Sequence, residues 1–310
     1  MLAETVLPVI PAQPQPWNSQ ANAGKLPGMS SQPKKTDPEQ PGGHALITGG
    51  SSGLGYSIAK ACLRRGMRVT LVSRDAERLI EASEKLTKLA AKDGRQAVVD
   101  TLPTDLAFSG EPARVVQEAN QLAPLDLVCH AAGASSRGRV VETSRKDFER
   151  LMAINFLAAV EIVGAIGEQL AERKGGLVLI GSLASRVAPK HLGPYPSSKH
   201  ALAAFAQQLR LELGPAGLRT LLVCPGPLRR DDAGQRYNRQ AASLPESARD
   251  PGGGAKLNAI DPDWLAERTL TALAQGKKEL IEPRKARLLF ALAQLSPSLG
   301  DWLLARFMKS

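Results

Sequence analysis

This chain is short of cysteine and of aromatic residues, and it has less acid than base. Only three cysteines occur, Cys62, Cys129 and Cys224, none in a C-x-x-C pair, which excludes a disulfide scaffold. Each lies in an apolar or helical-looking run, as buried, reduced thiols do. Aromatics make up 4% of the chain, too few for the stacking platforms of single-strand nucleic-acid binding. No run reaches the ~18 apolar residues of a membrane span. A secretory leader fits poorly, because Glu4 stands where a basic region belongs and Pro8 and Pro11 interrupt the apolar stretch. A cytoplasmic protein is therefore expected. Acidic residues number 30 against 40 Lys and Arg, a formal +10, which favours anionic partners. The 43% hydrophobic content of the 310 residues excludes disorder throughout and suffices for one large domain or two small ones.

Residues 1–43 carry eight prolines among Gln, Ser, Gly and Ala, a composition that buries too little to offset chain entropy. This tail is expected to be disordered, and its charges cancel. From His44 the pattern becomes alternating strand and helix. Strands are predicted at 45–48, 68–73, 96–100, 125–129, 176–181, 219–224 and 278–281. Helices are predicted at 54–65, 75–91, 111–122, 148–172, 197–213 and 262–275. In the second helix Leu79, Ala82, Leu86 and Leu89 share one face. Apolar strands alternating with helices imply an α/β fold: a doubly wound parallel sheet of about seven strands, covered on both faces. Residues 44–283 form this domain. The polar, Gly-rich stretch 227–261 reads as a substrate lid.

The first strand runs into Thr48-Gly49-Gly50-Ser51-Ser52-Gly53-Leu54-Gly55 and then a helix. Glycines permit a tight turn and close approach of a pyrophosphate, and the helix N-terminus offers free N–H groups. Strand, loop and helix in the first βα unit give the motif its required context. After the second strand stand Arg74 and Asp75. An acid there binds the ribose 2′-hydroxyl of NAD, whereas Arg74 suits the 2′-phosphate of NADP. The alternative is a solvated Arg74, with Asp75 capping the helix. NADP(H) is favoured over NAD(H).

Tyr195 and Lys199 are four apart at the start of a predicted helix, hence on one face. An ammonium nearby favours tyrosinate and lowers the phenol pKa. A tyrosine so tuned exchanges a proton with a carbonyl or alcohol oxygen while hydride moves. Ser182 stands at the carboxyl end of the GLVLIG strand, where open α/β sheets place ligands. Asn155 is a polar amide in an apolar helix and needs a partner.

In order and spacing, the glycine loop, Asp105, His130 to Gly133, Asn155, Ser182, Tyr195-x-x-x-Lys199 and Pro225-Gly226 resemble the short-chain dehydrogenase/reductase family over about residues 44–283. The resemblance implies a Rossmann-type domain and a nicotinamide cofactor. It implies a tetrad of Asn155, Ser182, Tyr195 and Lys199, with Tyr195 as acid/base, Ser182 polarising the carbonyl, Lys199 also holding the nicotinamide ribose, and Asn155 anchoring a relay water. It implies cofactor contacts at Thr48, Gly49, Ser51, Ser52, Gly53, Leu54, Gly55, Asp105 (at adenine), Ala131, Ala132, Gly133, Pro225 and Gly226. A homo-oligomer, dimer or tetramer, is also implied, and no metal. Two positions depart from the family pattern. His130 replaces the usual Asn and reads as a satisfied structural histidine rather than a catalytic one. Pro227-Leu228-Arg229-Arg230 follows Pro225-Gly226 without the frequent Thr.

Residues 284–310 hold five basic residues and one acid among many apolar ones. They read as a basic amphipathic helical extension, packed on the protein or lying on a membrane surface. This extension and the wording of the glycine loop resemble the family branch of 3-ketodihydrosphingosine reductase and other membrane-associated lipid reductases. The chain thus reads as an NADP(H)-dependent ketone reductase for an apolar, lipid-like substrate. The alternative is a non-catalytic NADP-binding sensor or scaffold. The net charge comes with no nucleic-acid recognition motif, and no nucleic-acid partner is expected.

Overall fold

Short Val-, Leu- and Ile-rich runs become strands here because all but one edge strand are buried within one parallel sheet. The computed structural model describes residues 42–230, 237–238, 240–249 and 257–307, all within the unit Lys34–Ser310. The strands are β1 His44–Thr48, β2 Arg68–Ser73, β3 Val99–Pro103, β4 Leu127–His130, β5 Gly176–Ile180, β6 Arg219–Pro225 and β7 Glu279–Glu282. Their order is β3-β2-β1-β4-β5-β6-β7, all parallel. The helices are α1 Gly53–Arg64, α2 Ala76–Lys92, α3 Glu111–Leu122, α4 Arg145–Met152, α5 Ala158–Glu172, α6 Tyr195–Glu212, α7 Pro262–Ala274, α8 Ala286–Leu295 and α9 Pro297–Phe307.

Two apolar layers clothe the sheet. Val115, Ile162, Ile166, Leu202 and Leu209 bring α3, α5 and α6 onto one face. Ile58, Leu79, Leu265 and Leu270 bring α1, α2 and α7 onto the other. The connections diverge between β1 and β4, which opens a crevice at the strand carboxyl ends. Thr48 pairs in register with both Val72 and His130. The three strand ends therefore finish level and bring their loops together.

The sequence-based strand at 96–100 begins three residues late, at Val99. As the sheet's edge, β3 pairs only with β2, with Val69 opposite Val99. That pairing, rather than the apolar pattern, sets its start. In α2, Leu79, Ala82 and Leu86 are buried as predicted, but Leu89 is exposed, since no strand lies beyond β3. The long helix expected at 148–172 begins at Arg145 behind a Ser144–Asp147 capping box and contains a π-helical stretch, Ala153–Leu157. Contrary to the sequence reading, this run, Arg145–Glu172, is long and apolar enough to cross a membrane by length and composition. Its Leu151, Ile162, Ile166 and Leu170 are buried, so its apolarity is accounted for by the core.

The C-terminal extension divides into α8 and α9 at Ser296. Phe290 and Leu303 are buried, while Leu288, Leu295 and Trp302 are exposed. All three cysteines are buried free thiols, and burial raises their pKa values. The disorder expected for 1–43 falls, except for Gly42 and Gly43, outside the described residues, as do 231–236, 239 and 250–256 of the lid.

Candidate active site

Gly49, Gly53 and Gly55 have three different reasons to be glycine. Gly49 has φ +68°, and a Cβ on it would lie 2.8 Å from the Ala132 nitrogen. Gly53 also has positive φ, +57°, but open space around it. A Cβ on Gly55 would overlap the Gly49 carbonyl, so the first turn of α1 fits against the loop only without a side chain. The Ser52 side chain makes no cap hydrogen bond to α1, which leaves first-turn N–H groups directed out of the helix end. Ser51 Oγ donates to Ser73 Oγ at 3.1 Å, tying the loop to the end of β2. A close-approach loop at a helix N-terminus fits the pyrophosphate of a dinucleotide.

Beyond β2, Arg74 is exposed and makes no hydrogen bond or ion pair among the described residues. Asp75 caps α2 by accepting the Arg78 N–H at 3.1 Å, and Arg78 Nε lies 3.3 Å from its other oxygen. The structure thus takes the alternative reading for Asp75 while leaving Arg74 in the cleft. Asp105 Oδ1 accepts the Ala107 N–H at 3.0 Å.

The turn after β4 is held from behind. Thr48 Oγ1 donates to His130 Nδ1 and accepts the Ala132 N–H, both at 3.0 Å. His130 Nε2 donates to the Ile154 carbonyl at 3.2 Å. These partners require the neutral Nε2–H tautomer. Burial pulls the His130 pKa down to about 3, and the Lys199 charge helps. His130 is therefore a satisfied, uncharged strut. Asn155, buried in the π-helical stretch, donates to the Ala134 carbonyl and Ser198 Oγ and accepts the Ala134 N–H, all at 2.9 Å. The π-helical stretch holds this amide, a recurrent use of such bulges near functional sites.

α6 starts at Tyr195, with Pro196 in its first turn, where a missing N–H costs nothing. Ser198 Oγ donates to the Tyr195 carbonyl at 2.8 Å, so Asn155, Ser198 and Tyr195 form one chain. Lys199 Nζ donates to the Ile180 carbonyl at 2.8 Å, and burial lowers its pKa to about 8. Ser182 draws the Tyr195 pKa downward, yet burial pushes the phenol up to about 12. The lowering expected from the Lys199 ammonium is not what acts on the phenol: burial, with Tyr237 and Cys224, raises its pKa, and the groups that lower it are Ser182 and Arg137. Ser182 also caps the turn Leu183–Ser185, accepting the Ala184 N–H at 3.1 Å.

Arg137 escaped the sequence reading. It is buried, its Nε donates to the Ala248 carbonyl at 2.6 Å, and its guanidinium stacks 3.7 Å over the Tyr237 ring. Its own N–H donates to Gln240 Oε1 at 3.0 Å. Arg137 therefore ties Tyr237, Gln240 and Ala248 to the loop after β4, and its charge draws the Tyr195 pKa downward. An isolated arginine in a polar loop carries no sequence signal for this. Leu228 and Ile260 pair in an isolated parallel bridge at the two ends of the stretch 227–261.

These groups line one cleft of about 1230 Å³, above the usual range for a single small ligand. It is lined by Gly49, Ser51, Ser52, Gly53, Leu54 and Gly55, by Arg74 and Asp105, and by Ala131, Ala132 and Gly133. Ser182, Tyr195, Lys199, Pro225 and Gly226 also line it, as do Arg78 and Arg249, which the sequence reading passed over. Thr48 and Asn155 do not line it; both are buried and act through the turns they hold. Leu288, Leu289, Leu292 and Leu304 bring α8 and α9 to the same cleft.

A switch-point cleft with a glycine loop defines a Rossmann-type dinucleotide-binding protein. The chain belongs to the short chain dehydrogenase family, whose model matches residues 43–241. It is 31% identical over 186 residues to a 3-ketodihydrosphingosine reductase of Bos taurus, covering 60% of this chain and 56% of the relative. It thus matches little more than half the length of that relative. A dehydrogenase/reductase SDR family protein 7-like of Drosophila melanogaster is 29% identical over 286 residues, covering 89% of this chain and 83% of the relative. Among solved structures, a short-chain dehydrogenase from Sphingobium yanoikuyae in complex with NADPH superposes with a TM-score of 0.67 at 25% identity, covering 84% of this chain and 95% of that one.

Proposed function

We propose that this chain reduces a ketone to an alcohol, reversibly, with NADP(H), on an apolar, lipid-like substrate. The observation that carries the proposal is that Ser182, Tyr195 and Lys199 line one cleft together with leucines of α8 and α9. The bound nicotinamide supplies the hydride. With its pKa near 12, the Tyr195 phenol holds its proton at neutral pH and gives it to the carbonyl oxygen as charge develops there. Ser182 orients that oxygen. Lys199, with a pKa near 8, remains mostly an ammonium at pH 7 and, by family resemblance, holds the nicotinamide ribose and feeds the proton path. By family resemblance Asn155 anchors a relay water; both its side-chain N–H groups are engaged, which leaves it only the role of acceptor toward that water.

Preference for NADP(H) is supported by Arg74, with Arg78 one turn on. Asp75 is occupied by its cap and ion pair, so it is a poor acceptor for a free ribose 2′-hydroxyl. The apolar substrate is supported by the leucine wall and by the name of the Bos taurus relative. Exposed Leu288, Leu295 and Trp302 beside Arg284, Lys285, Arg287 and Arg306 support a cytoplasmic enzyme that docks on a membrane surface. Family resemblance adds a homo-oligomer, dimer or tetramer. The deciding experiment is Tyr195→Phe. Turnover of a ketone should fall roughly 10²–10⁴-fold with NADPH binding unchanged. Retained turnover refutes the mechanism, and a native chain that binds NADPH but reduces no ketone supports a sensor instead.

A further inference from the structure

Charge along the cleft is one-sided. Among the described residues only two acids line it, Asp75 and Asp105. Both belong to the loops after β2 and β3, beside the cofactor loop, and both are engaged by local backbone N–H groups. Among the described residues, the charged groups that 227–261 and the C-terminal wall contribute to the lining are all cations: Arg230, Arg249 and Lys285. Arg249 is the exceptional one. It is half-buried, it has no hydrogen bond or ion pair among the described residues, and its Nε is a buried donor with no partner. Such a donor is costly to leave unsatisfied.

Nor is Arg249 a loosely placed side chain. It ends the short turn Glu246–Arg249. The residue before it, Ala248, is fixed by the Arg137 hydrogen bond and is buried against Ala241 and Leu244. The same Arg137 reaches Tyr195 with its charge. One buried arginine thus links the acid/base tyrosine to the turn that presents Arg249.

We propose that Arg249 forms a subsite for an oxyanion on the ketone substrate, a carboxylate or a phosphate, whose apolar part lies along α8 and α9. The guanidinium's donors pair with two oxygens of such a group, and the buried Nε gains the partner it lacks. A substrate carrying an ammonium would meet like charge at the same place, so the likeness to the Bos taurus relative extends to a long apolar ketone and not to the amine of 3-ketodihydrosphingosine. The inference rests on the reductase reading and names its substrate class.

The test is a matched panel of long-chain ketones with one chain length and one ketone position, ending in a carboxylate, a phosphate, a methyl ester or an amine. Each is assayed by NADPH absorbance with the native chain and with Arg249→Gln. An acid should exceed its ester in kcat/KM by about ten- to a hundredfold. Arg249→Gln should collapse that ratio toward one, whereas Arg145→Gln, on the exposed start of α4, should keep it. Which of carboxylate and phosphate is faster identifies the source of the oxyanion. Equal rates for acid and ester, a faster amine, or a ratio untouched by Arg249→Gln overturns the subsite while leaving the reductase intact. If no member of the panel is reduced, the reductase reading fails first, and the subsite with it.

Discussion

Gly49 and Gly94 share one backbone conformation, with φ +68° and +69°, in very different surroundings. An alanine at either position incurs the left-handed penalty of about 1–2 kcal/mol. At Gly94 a Cβ meets nothing within 4 Å, so strain is the whole cost. At Gly49 the new methyl would sit 2.8–2.9 Å from backbone atoms of Ala131 and Ala132, and backbone cannot rotate away as a side chain can. Overpacking of that kind adds about 1–3 kcal/mol. The Gly49→Ala variant should therefore lose about 2–5 kcal/mol and Gly94→Ala about 1–2 kcal/mol, measured as paired urea unfolding curves. The larger difference should lie in function. The methyl separates the β1 loop from the turn after β4, both of which line the cleft. NADPH affinity, read by fluorescence titration, should fall about a hundredfold or more in Gly49→Ala and stay native in Gly94→Ala. If the two variants unfold alike and bind NADPH alike, the close approach of these loops is not what makes Gly49 necessary.

Arg74→Ala should raise the KM for NADPH about ten- to a hundredfold and leave the KM for NADH unchanged; an unchanged KM for NADPH would remove Arg74 from the cofactor site. His130 titrates near 3 when folded and near 6.5 when unfolded. Between those values the unfolded chain binds the extra proton, so His130 costs stability as pH falls, by about 1.4 kcal/mol per pH unit. The His130→Asn variant should show a correspondingly shallower loss between pH 6.5 and pH 5 in urea unfolding, and parallel curves would contradict a buried neutral imidazole. The chain should sediment with anionic lipid vesicles at low salt and be released at high salt, each basic residue near the surface contributing about 1 kcal/mol; full recovery in the supernatant at low salt argues against docking through α8 and α9.

Much of the fold was legible in one dimension because its causes are local. A strand buried on both faces must be apolar along its length, and a helix against a sheet must repeat its leucines at three and four. β2 and α3 accordingly begin and end where the pattern puts them. The glycine loop was legible for a similar reason, since tight turns leave few residue choices. β3 was misplaced because an edge strand starts where its neighbour offers a partner. Tyr195 and Lys199 were legible as a pair by helical spacing. The direction of the tyrosine's pKa was not, because desolvation depends on everything packed around the ring.

The sequence by itself determined the sheet, the order of its elements, the loop that receives a dinucleotide and the side chains available for acid/base work. Only the tertiary structure decided which of them face the cleft and which brace it from behind. Thr48, His130 and Asn155 form a buried frame, while Arg137 and Arg249 enter the site from loops with no periodicity. The physical reason is range. Backbone pattern and helix spacing act over a few residues, whereas burial and charge at the site are set by contacts between segments about a hundred residues apart, as between Arg137 and Ala248 (111 residues).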